Sequence, residues 1–239
     1  MEFYNSINNY YDDIFPLNPR QVDWVNNACN HGSSRILDIG CATGNLAVEL
    51  AKRGHQVNAF DLDGGMIQLA MAKSKAGNPQ FRKANMLNIQ KNYRSEFFHV
   101  AICFGNTLVH LTSQELIQQF LAGVHAILKP DGQFLIQILN YDYILRNKID
   151  TLPLIENDKV KFIRRYSLLS NQLIQFKTQL EIKESGKLIE NSVELLPLTK
   201  NQLKDLLANT GFQNIEFRSS FNDSAYSPTS LPLIVKAIK

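Results

Sequence analysis

Residues 35–45 read RILDIGCATGN, a short apolar run that ends in an acid and continues into a turn of small residues. Apolar residues then recur at helical spacing, namely Leu46, Ala47, Leu50 and Ala51. The succession of strand, glycine turn and helix is typical of a nucleotide-cofactor site in an open α/β sheet. Gly40 and Gly44 can adopt positive φ and let a ligand approach the backbone. Asp38, at the carboxyl end of the predicted strand, directs its carboxylate into the same crevice.

The glycine spacing distinguishes this turn from a dinucleotide-binding turn. The dinucleotide fingerprint has glycine at its first, third and sixth positions, where this chain has Gly40, Ala42 and Asn45. The anionic pyrophosphate of a dinucleotide is also disfavoured beside Asp38, whereas a cofactor that carries an ammonium and a sulfonium is favoured there. The turn therefore predicts a cationic nucleotide cofactor.

Residues Leu37–Gly44 resemble the first motif of the class I S-adenosylmethionine-dependent methyltransferases, with Ala42 where the family usually has glycine. The resemblance covers residues 10–145 strongly and the rest in outline. It implies an α/β fold, a Rossmann-like, seven-stranded and mostly parallel sheet whose last strand is antiparallel. It also implies S-adenosyl-L-methionine as cofactor and S-adenosyl-L-homocysteine as product. The cofactor contacts implied at this motif are Asp38, Gly40, Cys41, Ala42 and Gly44.

Composition and charge indicate an ordinary globular protein. The 239 residues are 44% apolar and 20% charged, with a formal charge of +3. This charge is too small for a nucleic-acid partner, and no apolar run approaches the roughly 20 residues that cross a membrane. The first residues show no secretory signal, and three widely spaced cysteines indicate reduced thiols. We therefore expect a cytoplasmic protein, and the scattered histidines predict no metal site.

A second acid follows the next predicted strand, about 20 residues beyond the glycine turn. Asp61 can accept hydrogen bonds from both ribose hydroxyls there, or it can cap the next helix. The run Asp61–Met66 resembles the family's second motif, which implies cofactor contacts at Leu62 and Met66, although Met66 can also simply fill the core. The resemblance also places the adenine at Asn85 and Met86, where the family often has aspartate at the first position and a plain loop asparagine is the alternative.

Two further stretches resemble the glycine and sarcosine N-methyltransferases. The first, Cys103–Leu111, implies contacts near the methyl group at Phe104, Gly105 and Asn106, while His110 is either a wall of the acceptor pocket or a packed histidine at a helix start. The chain lacks the Asp-Pro-Pro-Tyr signature of enzymes that methylate nucleobase or glutamine amino groups. We therefore expect a small, soluble acceptor.

The second stretch, Asn140–Leu145, follows a predicted strand over residues 134–139. In the glycine N-methyltransferase type, the asparagine of this run contacts the acceptor. The resemblance therefore implies that Asn140 and Tyr141 position the acceptor together with His110. Both stretches follow strands, at the edge where ligands bind in open α/β sheets.

Residues 1–34 are predicted to form a helical lid over the cofactor, or a flap that caps the sheet edge. In the glycine N-methyltransferase type, an arginine at the start of the helix before the first motif binds the methionine carboxylate. Arg20 stands in the matching place, and a bidentate guanidinium suits a carboxylate. Tyr11 is a second candidate for cofactor contact from the lid.

The rest of the chain predicts one methyltransferase domain over residues 1–239. The cofactor-binding core covers residues 35–145, a small antiparallel β insertion covers residues 155–197, and residues 198–239 complete the sheet. Three strands are expected in the insertion, because its periodicity changes to two, at residues 159–166, 173–182 and 187–196. In small-molecule members of the family such an insertion commonly covers the acceptor side.

Arg164 and Arg165 lie on the first strand of that insertion, either on a solvated face or against an acceptor carboxylate. The predicted reaction is methyl transfer to a small amine, such as glycine, sarcosine or an amino sugar. A neutral amine needs no strong base, whereas an oxygen acceptor would need one, and His110 is the candidate. An NAD-type oxidoreductase and a non-catalytic S-adenosylmethionine-binding module are the alternatives. The sequence specifies neither the acceptor nor the oligomeric state.

Overall fold

The computed structural model describes residues 6–29, 32–74, 77–222 and 224–239. Residues 1–5, 30 and 31 of the predicted lid lie outside the described residues. The strands, in chain order, are β1 Arg35–Ile39, β2 Gln56–Asp61, β3 Gln80–Lys83, β4 Phe98–Cys103, β5 Leu128–Leu139, β6 Ile155–Glu156, β7 Val160–Leu168, β8 Ile174–Ile182, β9 Lys187–Leu195, β10 Gln213–Arg218 and β11 Pro232–Ile238. The helices are α1 Tyr11–Ile14, α2 Pro19–Ala28, α3 Asn45–Lys52, α4 Gly64–Lys73, α5 Ile89–Asn92, α6 Gln114–Ile127, α7 Tyr141–Arg146 and α8 Lys200–Asn209. Three 3₁₀ turns cover Asn8–Tyr10, Met86–Asn88 and Thr107–His110.

The main sheet has seven strands in the order β10-β11-β5-β4-β1-β2-β3. Strand β1 pairs in parallel with both β2 and β4, and β4 pairs in parallel with β5. Strand β11 is antiparallel to both of its neighbours, β5 and β10. The predicted seven-stranded, mostly parallel sheet with an antiparallel last strand is therefore confirmed. Because the chain order reverses between β1 and β4, the crevice at their carboxyl ends is the expected ligand site.

Helices cover both faces of this sheet, so its central strands are apolar on both sides. Along β1, Ile36 packs with residues of α2, α3 and α4, while Leu37 packs on the opposite face with residues of α6 and α8. Strand β5 begins at Leu128, earlier than predicted, because the pairing of β4 and β5 shifts between Phe98 and Val100 and accommodates a bulge. The sheet thus positions the glycine turn and the loop after β4 side by side.

A second sheet of four antiparallel strands, in the order β6-β7-β8-β9, forms the insertion. It confirms the predicted antiparallel insertion and adds the two-residue strand β6 to the three expected strands. The N-terminal segment packs against this sheet through an apolar cluster, Ile7, Ile14, Val160, Phe162 and Leu180. The lid therefore lies against the insertion sheet, and its contacts with the glycine turn are described below.

Candidate functional site

The glycine turn after β1 is held in a left-handed backbone conformation. The φ angles are 72° at Gly40, 48° at Ala42 and 77° at Gly44. The backbone N–H groups of Gly40 and Cys41 both donate to the carbonyl oxygen of Phe60, at 2.9 and 3.0 Å. A Cβ atom at Gly40 would lie 2.5 Å from Cγ2 of Thr107. The turn is therefore tied to β2 and packed against the loop after β4, and only glycine fits at Gly40.

Ala42 is the turn residue whose positive φ is unusual for a side chain with a Cβ. We expect Ala42→Gly to leave the affinity for S-adenosylmethionine unchanged or improved. The substitution relieves the strain of a left-handed alanine, about 1 kcal/mol. It also increases the backbone entropy lost on folding by a comparable amount, so the two effects on stability nearly cancel. Isothermal titration with S-adenosylhomocysteine and thermal unfolding would check this. A loss of affinity greater than tenfold would contradict the placement of the cofactor's methionine portion beside Ala42.

Two carboxylates flank the turn, Asp38 buried and Asp61 partly buried. Asp38 is 4% exposed, and burial, with the nearby charge of Asp61, raises the pKa of its carboxyl to about 7. Burial also raises the pKa of Asp61, although backbone N–H groups oppose that shift. One Asp61 oxygen accepts the N–H of Ala42 and the other accepts the N–H of Asp63, both at 2.9 Å. Asp61 therefore fixes the turn and keeps lone pairs on both oxygens for a further donor.

The predicted adenine contacts lie at the ends of β2 and β3. Leu62 is exposed, whereas Met66 is fully buried at the start of α4. The side-chain oxygen of Asn85 accepts the N–H of Leu87 at 2.9 Å and so caps the 3₁₀ turn that begins with Met86. None of these residues lines the cavity described below, and their contact with the cofactor stays a prediction.

A cavity of about 460 Å³ begins at the turn and continues past the loop after β4 to the inner face of the insertion sheet. The lid closes one side of it with Tyr11, Ile14 and Phe15. The predicted site residues that line it are Tyr11, Asp38, Gly40, Cys41, Ala42, Phe104, Gly105, Asn106 and His110. The cavity therefore joins the glycine turn to the residues predicted beside the methyl group, whereas the other predicted cofactor contacts do not line it: Gly44, Asp61, Leu62, Met66, Asn85 and Met86.

Arg20, Asn140 and Tyr141 are not among the lining residues. Arg20 is exposed in the first turn of α2, and its neighbour Gln21 lines the cavity instead. Asn140 is fully buried: its amide oxygen caps α7 through the N–H of Tyr143, and its amide nitrogen donates to the carbonyl of Ser230 at 3.0 Å. A direct role for these residues stays a prediction that the geometry does not favour.

Tyr141 is connected to the cavity through Asn106. The side-chain amide of Asn106 donates to the Tyr141 hydroxyl at 3.0 Å, and its oxygen accepts the N–H of Leu139 at 3.0 Å. Tyr141 also stacks on Tyr166 of the insertion, with ring centroids 6.4 Å apart. Tyr141 therefore orients Asn106 and Tyr166, both of which line the cavity.

Gln137 is a cavity residue that the sequence did not reveal. Its side-chain oxygen accepts the N–H of Gly105 at 2.8 Å, which leaves its NH₂ group available to a ligand. It lies in the buried strand β5, where its neighbours are apolar, so sequence periodicity predicts a core position rather than a site. In the sequence, the signal that could have indicated this site residue is the polar Gln137 within the otherwise apolar run of residues 134–139.

Burial holds two titratable groups of the cavity, His110 and Cys41, in their neutral forms. Burial lowers the pKa of His110 to about 4, so its imidazole is uncharged at neutral pH. Burial also raises the pKa of the Cys41 thiol well above its ordinary value. A thiolate nucleophile and a strong imidazole base are therefore both disfavoured at this site.

Asp12 connects the lid to the glycine turn through hydrogen bonds. It accepts hydrogen bonds from the hydroxyl of Thr43 and from the side-chain amide of Asn45, the latter at 2.9 Å. The ammonium of Lys73 at the end of α4 lies 2.5 Å from the second carboxylate oxygen. The next lid residue, Asp13, pairs instead with Lys159 of the insertion at 2.8 Å. The closed lid is thus held from both sides by polar contacts.

We expect Asp12→Ala to increase the dissociation rate of S-adenosylhomocysteine at least tenfold. The substitution removes the carboxylate that Thr43, Asn45 and Lys73 all contact, and the lid can then open. Asp13→Ala is the matched control, since it removes a lid carboxylate that pairs with Lys159 of the insertion and leaves the contacts with the glycine turn in place. The sole tryptophan, Trp24, has its ring centroid 6.1 Å from that of the cavity residue Phe104. Its fluorescence in stopped flow would report dissociation. Equal rates in the two variants would contradict the role of Asp12.

Across the described ranges, no group of three or more histidine, cysteine, aspartate or glutamate residues is placed to hold a metal ion. Within the same ranges, no helix is long and apolar enough to cross a bilayer.

The chain is similar in sequence to known methyltransferases. The family described as "Methyltransferase domain" matches residues 36–132, which run from β1 into the start of β5. The glycine/sarcosine N-methyltransferase of Aphanothece halophytica is 28% identical over 203 residues, which cover 81% of this chain and 72% of that protein.

Solved structures share the fold. An S-adenosylmethionine-dependent methyltransferase from Clostridium acetobutylicum ATCC 824 aligns with a TM-score of 0.82 at 17% identity, over 99% of this chain and 98% of that one. The sugar N-methyltransferase KedS8 from Streptoalloteichus sp. ATCC 53650 aligns with a TM-score of 0.70 at 15% identity, over 92% and 87%. The family match over residues 36–132, the sheet order and the glycine turn together support a class I S-adenosylmethionine-dependent methyltransferase.

Proposed function

We propose that the protein transfers the methyl group of S-adenosylmethionine to the amine nitrogen of a small acceptor. The observation that carries this proposal is the single cavity that joins Asp38 and the glycine turn to His110 and the insertion sheet. Methyl transfer requires the donor carbon and the nucleophile to meet in line, and one enclosed space lets both be aligned.

The residues around the turn fit this cofactor. The buried carboxylate of Asp38 complements an ammonium or a sulfonium, and Gly40 allows the methionine portion to approach the backbone closely. Asp61 keeps lone pairs for the ribose hydroxyls. When bound, the cofactor supplies an already activated methyl group, so the task of the protein is to bind, orient and exclude water.

The acceptor half favours nitrogen over oxygen. Beside the loop after β4, the side chains of Asn106, Gln137 and His110 are uncharged and can orient a neutral amine by hydrogen bonds. The nitrogen lone pair attacks the methyl carbon while the carbon–sulfur bond breaks, and the resulting ammonium loses its proton afterwards. An oxygen nucleophile would have to lose its proton during attack, and an imidazole with a pKa of about 4 is a poor base for that step.

The enclosure limits the size of the acceptor. The cavity of about 460 Å³ is bounded by the lid on one side and by Phe162 and Tyr166 on the other. Pockets of roughly 300–1,000 Å³ hold small ligands, and part of this space is assigned to the cofactor. A compact amine fits the remainder, whereas a macromolecular acceptor would require the lid to open.

The decisive experiment incubates the protein with methyl-labelled S-adenosylmethionine and a pool of small amines, followed by mass spectrometry. We expect S-adenosylhomocysteine and a labelled N-methyl product, which identifies the acceptor. A label found only on oxygen or carbon would contradict the proposal. A folded protein that binds the cofactor but labels nothing would favour a non-catalytic module. Binding heat with NADH but none with S-adenosylmethionine would favour an oxidoreductase.

A further inference from the structure

The amino end of β1 is held by two histidine side chains. The backbone N–H of Ser34 donates to Nδ1 of His55 at 3.2 Å. The next N–H, that of Arg35, donates to Nδ1 of His99 at 2.9 Å. Ser34 precedes the first pair of residues between β1 and β2, and Arg35 precedes the first pair between β1 and β4. Each imidazole nitrogen thus does for these N–H groups what a strand carbonyl does further along the sheet.

These hydrogen bonds determine the protonation of both rings. A backbone N–H can only donate, so Nδ1 of each histidine must be unprotonated, and the neutral ring carries its proton on Nε2. In His55 that proton has a partner, because Nε2 lies 3.1 Å from the side-chain oxygen of Asn26 on α2. A proton added to Nδ1 would turn an acceptor into a donor and would break the hydrogen bond to β1. Acid is therefore expected to disrupt both contacts.

The surroundings of His99 oppose its protonation. Burial lowers the pKa of this imidazole, and the positive charges of Lys129 on β5 and Arg35 on β1 lower it further. Nε of Arg35 donates to the carbonyl of Phe97 at 2.8 Å, which anchors that guanidinium at this end of the sheet. A protonated His99 would therefore stand beside two other cations.

His55 is more deeply buried, with 4% of its surface exposed. Burial and the charge of Arg53 lower its pKa. Arg53 lies 2.7 Å from Asp23 of α2 and 3.7 Å from Glu49 of α3. Both carboxylates pair with Arg53, and Ser34, the residue that donates to His55, is only 6% exposed. A proton on His55 would therefore leave a buried backbone N–H without an acceptor, which is costly.

We propose that His55 and His99 act as an acid-sensitive clamp, which holds β1 and α2 in place at neutral pH and releases them in mild acid. These two residues are the histidine clamp, and the inference does not depend on which acceptor is methylated. Strand β1 ends at the glycine turn, while Asn18 and Gln21 at the start of α2 line the cavity. Release of the clamp is therefore expected to loosen the cofactor half of the cavity from its far side.

The lowered pKa values fix the direction of the pH effect. An unperturbed histidine titrates at 6.5, and both clamp residues titrate below that value in the folded protein. Between the two values the unfolded state binds more protons than the folded state. The contribution of the clamp to stability is therefore complete above about pH 6.5 and is lost as the pH falls through the folded pKa values. The raised pKa of Asp38 acts in the opposite direction, so each comparison below keeps residue 38 the same.

The first test follows thermal unfolding of the native protein, His99→Leu and His99→Asn at pH 8 and at pH 4.5. Leucine removes the acceptor, whereas the side-chain oxygen of asparagine can replace Nδ1 and takes up no proton. At pH 8 we expect His99→Leu to unfold about 3–6 °C below the native protein and His99→Asn to unfold close to it. At pH 4.5 the native protein should lose most of its advantage over His99→Leu and should unfold at a lower temperature than His99→Asn. A difference between the native protein and His99→Leu that is equal at both pH values would overturn the clamp.

The second test uses the native protein, so it does not depend on the folding of a variant. Nitrogen NMR of protein labelled with ¹⁵N-histidine reports which ring nitrogen carries the proton. We expect both clamp residues to have an unprotonated Nδ1 at pH 8 and pKa values below 6.5. The spectra of His55→Asn and His99→Asn assign the two signals. A proton on Nδ1 of either ring at pH 8, or a titration midpoint above 6.5, would refute the inference.

The third test connects the clamp with cofactor binding. In Asp38→Asn protein, we expect the affinity for S-adenosylhomocysteine to fall at least threefold between pH 5.5 and pH 4.5. Adding both His55→Asn and His99→Asn should abolish this fall. Adding His125→Asn should not, because His125 packs elsewhere, with its ring centroid 5.1 Å from that of Phe212. A fall that persists without the clamp histidines, or no fall in the Asp38→Asn protein, would refute the effect of the clamp on the cofactor half.

Discussion

Replacing Asp61 by alanine is expected to weaken the binding of S-adenosylmethionine at least 100-fold. The carboxylate is predicted to accept both ribose hydroxyls, and it already accepts the N–H groups of Ala42 and Asp63. Hydrogen bonds to a charged group contribute about 1.5–3 kcal/mol each, and 1.4 kcal/mol is a factor of ten in affinity. The substitution therefore removes the ribose contacts and loosens the turn. Isothermal titration with the cofactor and with S-adenosylhomocysteine would measure the loss.

Asp63→Ala is the matched control for this prediction. Asp63 caps α4 by accepting the N–H of Met66 at 2.9 Å. Loss of this cap should lower the free energy of unfolding by about 1 kcal/mol and should change the affinity for S-adenosylmethionine little. Asp61→Asn should give an intermediate affinity, because it keeps one acceptor oxygen but loses the charge. An Asp61→Ala protein that binds within threefold of the native protein would refute the assignment of the ribose to this carboxylate.

The affinity for S-adenosylmethionine is expected to rise with pH between about 5.5 and 8. In the free protein, burial and the charge of Asp61 raise the pKa of Asp38 to about 7. A cationic cofactor favours the ionised form, so binding below this pKa must displace a proton. Titrations in two buffers that differ in ionisation enthalpy would detect the released proton. Asp38→Asn should flatten the profile and reduce the affinity at pH 8 most strongly.

The raised pKa of Asp38 also predicts how pH changes the stability of the cofactor-free protein. This stability should fall as the pH rises, whereas the affinity for the cofactor should increase. The folded pKa of Asp38 exceeds the ordinary value of 3.8, so the folded state binds more protons than the unfolded state between these values. Its contribution to stability is therefore present below about pH 4 and is lost as the pH rises towards 7. Asp38→Asn should unfold at a higher temperature than the native protein at pH 8, with a smaller difference at pH 4. A pH-independent difference would contradict the raised pKa.

The order and type of the elements could be predicted from the sequence, because they depend on local patterns. The run before Gly40 is apolar on both faces, as a central parallel strand requires, and the small residues that follow permit positive φ. The switch to a two-residue period from residue 159 predicted a separate antiparallel sheet, which the structure contains. The short strand β6 was not predicted, because two residues are too few to show a period.

The contacts across the site could not be predicted, because they join residues far apart in the chain. Asn140 follows a strand as the motif implied, but its amide is already hydrogen-bonded to Tyr143 and Ser230. Arg20 carries the right chemistry, yet the first turn of α2 places it at the surface and Gln21 towards the cavity. A motif specifies which residue types are present, and the packing of the helices specifies which of them face the ligand.

The sequence by itself determined the cofactor class of this protein. Asp38, Gly40, Gly44 and Asp61 lie at strand ends and in a tight turn, where backbone geometry is a local property and the chemistry follows from residue type. Only the tertiary structure decided what closes the cavity: Asp12 joins the lid to the glycine turn through Asn45, and Asp13 joins it to Lys159 of the insertion. The physical reason is that burial and pairing depend on partners more than 30 or 100 residues away along the chain, which no local pattern encodes.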